Sequence, residues 1–383
     1  MKTKKDYCDS RAKAQSPKGS SLLVNLSFVL DKPTGISTYA TNLFPYLQSL
    51  QPTLLASKNY PDYQCYPIPD NLTPAQGRMG HFRRLFWTQF QLPKIYKELQ
   101  SRLIFSPVPE MPIYSKCRSV IMVHDLIPLR FPKPTSPLTL YFRSILPQVL
   151  QQAAFIICNS TATARDITDF FSVPAAKIQP IPLAYNRDRF FPISTTSKTS
   201  TTSSQPYFLY IGRQDPYKNL HRLIESFALI KNNNCSDCQL WLAGAKDPRF
   251  TPQLQQQIVE LDLTERVKFL DYVSYEELPR IIGQAIALVF PSLWEGFGLP
   301  VLEAMACGTP VITSNLSSLP EVAGDAALLV DPYNQEEIAA AMEAVVVEGR
   351  LRDRLCTLSI ARASQFSWAK TGEETVAVLK EYL

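Results

Sequence analysis

At 383 residues the chain is long enough for two domains of about 150 residues each, which excludes a small fold held together by disulfides. Hydrophobic residues make up 45% of it and charged residues 19%, the composition of a folded globular protein rather than a disordered or fibrous one. With 39 basic and 34 acidic side chains the formal net charge is +5, too small over this length to indicate a nucleic-acid partner.

Residues 1–19 are polar and basic, lack the apolar core of a secretion signal, and are expected to be disordered. Eight cysteines are scattered along the chain, and without a signal sequence we expect them to be free thiols in the reducing cytoplasm. Cys235 and Cys238 form a lone C-x-x-C without the other ligands of a zinc site. No apolar run reaches the ~18 residues that span a bilayer, which predicts a soluble protein or one peripheral to the inner face of the plasma membrane.

Residues 20–193 and 206–365 each alternate short apolar runs with segments of helical period. This pattern is typical of parallel sheets covered by helices on both faces. Strands are predicted in the first half at 22–30, 119–125 and 155–160, with helix at 137–153, and in the second half at 207–212, 240–244, 267–273, 287–292 and 310–314. The predicted fold class is therefore α/β, with two Rossmann-like domains that bind ligands at the carboxyl ends of their strands, in the cleft between the halves.

Two further segments complete this organisation. Residues 194–205 are nearly all Ser and Thr, cannot bury an apolar face, and predict an exposed linker between the domains. Residues 366–383 predict a terminal helix, for which Ser367 is the N-cap.

In residues 77–99 arginines alternate with aromatic and aliphatic side chains in a helical pattern. We expect the aromatic side chains to pack against the N-terminal sheet. The alternative is a basic amphipathic helix that rests on an anionic membrane surface. The side chains concerned are Arg78, Arg83, Arg84, Phe82, Phe86, Trp87 and Phe90.

Residues 291–314 combine a strand end, a glycine-containing turn and a helix that starts near Pro300. The peptide N–H groups of Phe297, Gly298 and Leu299 would then point toward an anion. The positive end of the helix would add to the attraction, so this turn predicts a phosphate site.

Charged side chains surround the same turn. Glu295 directly precedes Gly296, and Glu303 follows Glu295 with seven residues between them. Another strand end carries Arg213 and Lys218, and an arginine fork beside a lysine point charge suits a diphosphate. For each of these residues the alternative is an ordinary solvated surface position.

No D-x-D triplet occurs, and the three histidines, at 81, 124 and 221, are dispersed. No metal or cofactor is therefore expected. A bound nucleotide diphosphate would be neutralised by cations and helix ends in place of Mg²⁺.

Four blocks in this order together resemble the family 4 retaining glycosyltransferases of GT-B architecture: GRQDPYKN, the E-x7-E pair of EGFGLPVLE, PEVAGDAALLVDP at 320–332 and the terminal FSW helix. The similarity runs through nearly all of 206–383 and continues more loosely from about 22 to 190. The resemblance implies that 20–193 is an acceptor domain, that 206–365 is the nucleotide-sugar donor domain across a cleft from it, and that the helix 366–383 crosses back to the N-terminal domain.

The resemblance also implies roles for the charged residues. Glu295 would hold hydroxyls of the donor sugar and Glu303 the hydroxyls of the ribose. Arg213 and Lys218, in the segment that follows Gly212, would hold the leaving diphosphate.

Three positions outside these blocks are implied in the same way. Gly35 lies in PTGISTY, where the family has a glycine loop close to the diphosphate or acceptor. His124 ends the strand SVIMV, where the family often places a histidine near the sugar, and a structural histidine is the alternative. Val273 belongs to LDYV, which resembles the segment whose backbone reads the nucleotide base.

The implied reaction is hexose transfer with retention at the anomeric carbon, by same-face attack in which the departing phosphate takes the acceptor's proton. The sequence is most similar to mannosyltransferases that build surface polysaccharides from GDP-mannose, with a saccharide or lipid-linked saccharide as acceptor. UDP-glucose, UDP-galactose or UDP-N-acetylglucosamine as donor, and a non-catalytic nucleotide-sugar-binding subunit, remain alternatives. A nicotinamide dehydrogenase is disfavoured because neither Gly35 nor Gly212 begins a G-x-G-x-x-G.

Overall fold

The computed structural model describes residues 21–30, 35–133, 135–192, 205–230, 235 and 237–383. The tail predicted at 1–19 and the linker predicted at 194–205, except Gln205, lie outside the described residues. The chain divides into two compact units, one with the residues up to 122 together with 146–156 and 375–383, the other with 123–145 and 157–374.

The first sheet is built from short, mostly buried apolar strands, as expected for strands covered on both faces. They are β1 (Leu22–Asn25), β2 (Thr53–Ala56), β3 (Gln64–Pro67), β4 (Leu103–Ser106), β5 (Ser119–Val123), β6 (Phe155–Cys158) and β7 (Ile178–Pro180). The sheet order is β3-β2-β1-β4-β5-β6-β7, and β1 lies parallel to β2 and β4. The helices of this half are α1 (Gly35–Leu47), α2 (Gly77–Phe90), α3 (Leu92–Glu98), α4 (Ile127–Arg130), α5 (Pro137–Ser144), α6 (Leu146–Gln152) and α7 (Thr161–Phe171).

The second sheet has six strands, and the four at its centre are almost completely buried. They are β8 (Tyr207–Ile211), β9 (Gln239–Ala243), β10 (Val267–Leu270), β11 (Ala287–Phe290), β12 (Val311–Ser314) and β13 (Leu328–Val330), in the order β10-β9-β8-β11-β12-β13 with parallel pairing. The helices are α8 (Leu220–Leu229), α9 (Thr251–Glu260), α10 (Leu278–Gln284), α11 (Leu299–Ala306), α12 (Leu319–Ala323), α13 (Gln335–Val347), α14 (Gly349–Ala363) and α15 (Trp368–Tyr382).

Both sheets confirm the predicted α/β class with two Rossmann-like halves. In the second sheet the strand order reverses between β8 and β11, and in doubly wound sheets ligands bind outside the carboxyl ends of the strands at such a point. The predicted strands all occur, and all of them except β12 end earlier than the apolar runs do. The strands β2, β3, β4, β7 and β13 were not predicted, because runs of three or four residues carry little periodicity.

The terminal helix begins as predicted. The backbone N–H of Lys370 donates a hydrogen bond of 3.2 Å to the Ser367 hydroxyl, which is the expected N-cap contact. The residues from Thr375 onward group with the first compact unit. There the ring of Tyr382 lies 5.1 Å from that of Phe155 and 5.3 Å from the Arg118 guanidinium.

The helix α2 confirms the expected packing for Trp87 but corrects it for the three phenylalanines of 77–99. Phe82, Phe86 and Phe90 are 64%, 55% and 55% exposed. The buried side of α2 instead presents Trp87 to the core and Arg84 to Glu110, which accepts two hydrogen bonds of 2.8 Å from the guanidinium. This bidentate ion pair gives a charged side chain the inner position, so the phenylalanines lie on the outer face.

Three findings on composition complete the description. Seven cysteines are described and all are free thiols, five of them buried. In the part of the chain that the structure describes, no three His, Cys, Asp or Glu side chains come together in a group suited to a metal ion. Nor do the described helices include one long and apolar enough to cross a membrane.

Candidate nucleotide-sugar site

Two loops meet at the switch point of the second sheet, one after β8 and one after β11. Asn219, which is fully buried, holds them together: its side-chain amide donates hydrogen bonds to the carbonyl oxygens of Pro291 (3.0 Å) and Pro332 (2.6 Å). The backbone N–H of Leu293 also donates to the Tyr217 carbonyl, at 2.8 Å. Asn219 has φ of 64°, a left-handed conformation that asparagine tolerates better than most residues. The spacing of the two loops is therefore fixed by buried hydrogen bonds.

Lys218 and Glu295, which were predicted separately as a phosphate ligand and a sugar ligand, form an ion pair. Lys218 Nζ lies 2.5 Å from Glu295 Oε1, and the two side chains are only 12% and 10% exposed. The ammonium also lies 5.3 Å from the ring centroids of Tyr217 and Phe290. A cation and a carboxylate are thus both held at the switch point by their mutual contact.

Arg213 lies on the outer side of the same loop. Its side chain is 71% exposed, and its guanidinium lies 2.7 Å from Oδ2 of Asp215, whose side chain is 2% exposed. The loop is supported from below by Tyr210, whose hydroxyl donates a hydrogen bond of 2.7 Å to the Arg213 carbonyl. A side chain at Gly212 would meet that hydroxyl at 2.7 Å, so glycine is needed there for the loop to lie over the tyrosine.

Gly296 brings the loop after β11 against the backbone that follows β5. A Cβ atom on Gly296 would lie 2.1 Å from the carbonyl oxygen of His124 and 3.0 Å from Cβ of Asp125. The backbone of His124 is therefore adjacent to the predicted donor loop, and the position of its side chain near the sugar stays a prediction. Because this approach requires the absence of a side chain, Gly296 sets how the loop and the His124 backbone fit together.

Asp125 is a site residue that the sequence did not identify. Its Oδ1 accepts a hydrogen bond of 3.0 Å from the Ile127 N–H. Burial raises the pKa of Asp125 and the nearby charge of Glu295 adds to the increase, whereas the hydrogen bond and the charges of Lys218 and Arg213 oppose it. Because Asp125 packs against Gly296, a second acidic residue stands next to the loop that carries Glu295.

The amides predicted to face an anion are available. Ser318 shares its hydroxyl hydrogen between the carbonyl oxygens of Glu295 (3.0 Å) and Phe297 (2.8 Å), which anchors the turn from its carbonyl side. Gly298, with φ of 109°, is the N-cap of α11. Within the described residues the N–H groups of Phe297, Gly298 and Leu299 donate no hydrogen bond to the backbone, so they and the helix dipole can act on an anion.

Glu303 lies on α11. Burial raises the pKa of its carboxyl group to about 8, and among the described residues it makes no hydrogen bond or ion pair. Its charge in turn raises the pKa of Tyr275, after the larger effect of burial on that group. A carboxyl group of this kind can exchange hydrogen bonds with ligand hydroxyls, as predicted for the ribose.

The structure therefore brings together most of the predicted residues of the second compact unit, namely His124, Gly212, Arg213, Lys218, Glu295, Gly296, Phe297, Gly298 and Leu299. Val273 lies on the loop after β10, Glu303 on α11, and Gly35 begins α1 in the first compact unit. The binding and catalytic roles of all these residues stay predictions. Sequence reasoning missed Asp125, Asp215, Asn219 and Lys133. Asp125 and Asn219 directly follow a predicted residue and Asp215 lies two positions after Arg213, whereas Lys133 is near none of them. That proximity was the one available signal.

Two family models match the chain, "Glycosyltransferase Family 4" over residues 33–189 and "Glycosyl transferases group 1" over residues 194–357. Among curated proteins, O-antigen chain mannosyltransferase B of Escherichia coli is 33% identical over 63% of this chain, an alignment that spans 64% of that relative's length. O-antigen chain mannosyltransferase RfbU of Salmonella typhimurium is 28% identical over 84% of this chain and 90% of its own. Among solved structures, HepE of Anabaena in complex with UDP and glucose has a TM-score of 0.72 at 19% identity, covering 94% of this chain and 99% of its own.

Proposed function

The chain belongs to the family 4 glycosyltransferases of the GT-B fold, and we propose that it transfers a hexose, mannose from GDP-mannose, to a saccharide or lipid-linked saccharide. The observation that carries this proposal is the convergence at the β8–β11 switch point of two cations, the Glu295 carboxylate and a set of open amides. Arg213, Lys218 and the amides of 297–299 supply positive charge for a diphosphate. Glu295 supplies an acceptor for sugar hydroxyls within reach of the same lysine.

The proposed reaction breaks the bond between the anomeric carbon and the diphosphate oxygen. A bond from the acceptor oxygen forms on the same face of the sugar, and the departing phosphate oxygen takes the acceptor's proton, which gives retention. Negative charge grows on the diphosphate as it leaves, and preorganised cations and amides stabilise that charge. We propose that these groups act without a divalent ion, so a chelator should leave the rate of transfer unchanged.

GDP-mannose is the preferred donor because the two bacterial relatives named above are mannosyltransferases. A UDP-sugar is the second candidate, favoured by the structural similarity to a protein solved with UDP and glucose. The two differ in the base, which the segment around Val273 is proposed to contact.

A panel of nucleotides and nucleotide sugars tests the donor. We expect GDP and GDP-mannose to raise the melting temperature, since a ligand at ~100 times its dissociation constant stabilises by ~2.7 kcal/mol. UDP and its sugars serve as the matched comparison. If only UDP compounds raise the melting temperature, the proposal of GDP-mannose as donor is overturned. If the donor binds without being hydrolysed or transferred to any acceptor, the non-catalytic alternative is favoured.

We further propose that the outer face of α2 contacts an anionic membrane surface, where a lipid-linked acceptor would be held. Met79, Phe82, Phe86 and Phe90 are all more than half exposed and lie along one side of the helix. At 100° per residue the exposed Arg78 and Arg83 fall on the two edges of this stripe. Aromatic side chains between arginines suit the boundary between headgroups and acyl chains.

Vesicle sedimentation tests this contact. The protein is expected to bind vesicles that contain phosphatidylglycerol better than neutral ones, and less at high salt. Replacing Phe82, Phe86 and Phe90 together by Ser should weaken binding to the vesicles at least about tenfold, because each substitution removes an apolar ring that the bilayer would bury. Val259→Ser, on α9 and 66% exposed, is the control. Wild-type protein that stays in solution with anionic vesicles at low salt would contradict the proposal.

A further inference from the structure

Lys133 lies between α4 and α5, outside every motif that pointed to the donor site, yet its side chain reaches the β8–α8 loop. Its Nζ is 3.1 Å from Oδ1 of Asp215, and its side chain is 49% exposed. We propose that Lys133 is a further phosphate ligand of the nucleotide sugar, and that Asp215 positions it. This inference rests on the proposed function, since it concerns the diphosphate of the same donor.

Asp215 connects two cations through one buried carboxylate. Its Oδ1 pairs with Lys133 and its Oδ2 with Arg213, at 3.1 and 2.7 Å. Two cations on one carboxylate leave one positive charge uncompensated, and both cationic side chains are about half exposed or more. Lys218, by contrast, already has its own partner in Glu295. The uncompensated charge therefore faces solvent beside Arg213, where a diphosphate is proposed to bind.

Lys133 is held in place before ligand binds. Its ammonium lies 5.3 Å from the ring centroid of Phe250, and its backbone N–H donates a hydrogen bond of 3.3 Å to the Thr139 hydroxyl. A lysine ammonium has three N–H donors, and within the described residues only one of them is used, toward Asp215. The other two can donate to phosphate oxygens without any loss of the existing pair.

The chemistry of the pair fits this role. A compact ammonium acts as a point charge on a phosphate, and hydrogen bonds between charged groups are stronger than those between neutral ones. Asp215 keeps the ammonium near the Arg213 guanidinium despite their mutual repulsion. Asp215 is thus a positioning residue, and Lys133 is the residue that would touch the phosphate.

The test measures calorimetric affinities of wild type and five variants for GDP and UDP, with the matching nucleoside monophosphates. Lys133→Met, which keeps the length of the side chain, is expected to weaken binding of the cognate diphosphate at least about tenfold, the change that ~1.4 kcal/mol produces. Lys133→Arg should restore most of it. Lys97→Met, on the exposed side of α3, is the matched control and should bind as wild type does. Melting without ligand should be nearly unchanged in Lys133→Met, because the lysine is half exposed and the buried Asp215 keeps its ion pair with Arg213.

The outcomes separate this inference from the proposed function. If wild type binds neither GDP nor UDP, the proposed function fails. If wild type binds one of them and Lys133→Met binds it equally well, only the assignment of Lys133 fails. An unchanged nucleotide affinity in Lys133→Met together with a raised KM for the acceptor would also overturn the assignment. So would a loss of nucleotide affinity that Lys133→Arg does not restore and that is accompanied by a lower melting temperature without ligand. Asp215→Asn should weaken diphosphate binding when it is the only substitution. When it is combined with Lys133→Met, it should weaken binding little beyond the effect of Lys133→Met alone.

Discussion

Replacing Lys218 by Met or Glu295 by Gln is expected to reduce sugar transfer at least about a hundredfold in each case. The two side chains form one buried ion pair at the point where the strand order of the second sheet reverses. In the proposed reaction the lysine neutralises the leaving diphosphate and the glutamate orients the sugar. Each variant therefore removes an interaction that strengthens toward the transition state.

The same variants should also lose stability. Breaking a buried pair by removing one partner leaves the other charge unsatisfied, at a cost of ~3–5 kcal/mol. Lys218→Met should approach this range, because it leaves the Glu295 carboxylate without its cation. Glu295→Gln should cost less, since the amide oxygen still accepts a hydrogen bond. The double variant should recover part of the stability and none of the activity, which urea unfolding and a transfer assay would measure.

Arg213→Met provides the matched control. Its side chain is 71% exposed, so the variant should unfold nearly as wild type does while transfer falls. Lys218→Met or Glu295→Gln protein that transfers sugar at the wild-type rate would place the donor elsewhere. A double variant as unstable as the sum of the two single ones would argue against a direct pair.

Glu303→Gln is expected to make the protein more stable than wild type at pH 8 and above, and equally stable near pH 4. Burial raises the pKa of Glu303 to about 8, from the ordinary value of 4.5 that applies when the chain is unfolded. As pH rises between these values the unfolded chain loses the proton and the folded chain retains it, so wild-type stability falls by ~1.4 kcal/mol per pH unit. Above pH 8 both states are ionised and the difference stays constant.

Urea unfolding at pH 4, 6, 7, 8 and 9 measures this difference. Glu373→Gln, on the exposed side of α15, is the control and should follow the wild-type curve. If the free energies of unfolding of Glu303→Gln and wild type differ by the same amount at every pH in this range, the carboxyl group is not held in its neutral form by burial.

The loops of the candidate nucleotide-sugar site were predictable because the sequence signals for them are local. A strand end, a glycine turn and a helix start follow one another within residues 291–314, and Arg213 and Lys218 stand at another strand end. The contacts of Asp215 with Lys133, and of Gly296 with His124, join segments far apart in sequence. No local pattern encodes such contacts, so the sequence indicated which loops form the site but not how they are held together.

The outer face of α2 shows a second reason why the sequence alone does not determine the structure. Its helical pattern was recognised, but amphipathicity alone does not say which side is buried when both sides carry aromatic residues. The structure resolves this through Arg84, since a distant carboxylate, Glu110, makes its burial possible. Hydrophobicity alone assigned the phenylalanines to the core, and the ion pair reversed that assignment.

The close approach of Gly296 to the His124 carbonyl limits how this enzyme can be re-engineered. Libraries that seek a new sugar preference would vary Phe297 or Leu299 while holding position 296 invariant, because even a methyl group there would lie 2.1 Å from that oxygen. Recombination between homologues should likewise exchange the stretch around His124 together with the donor loop, since each is shaped to the other's main chain.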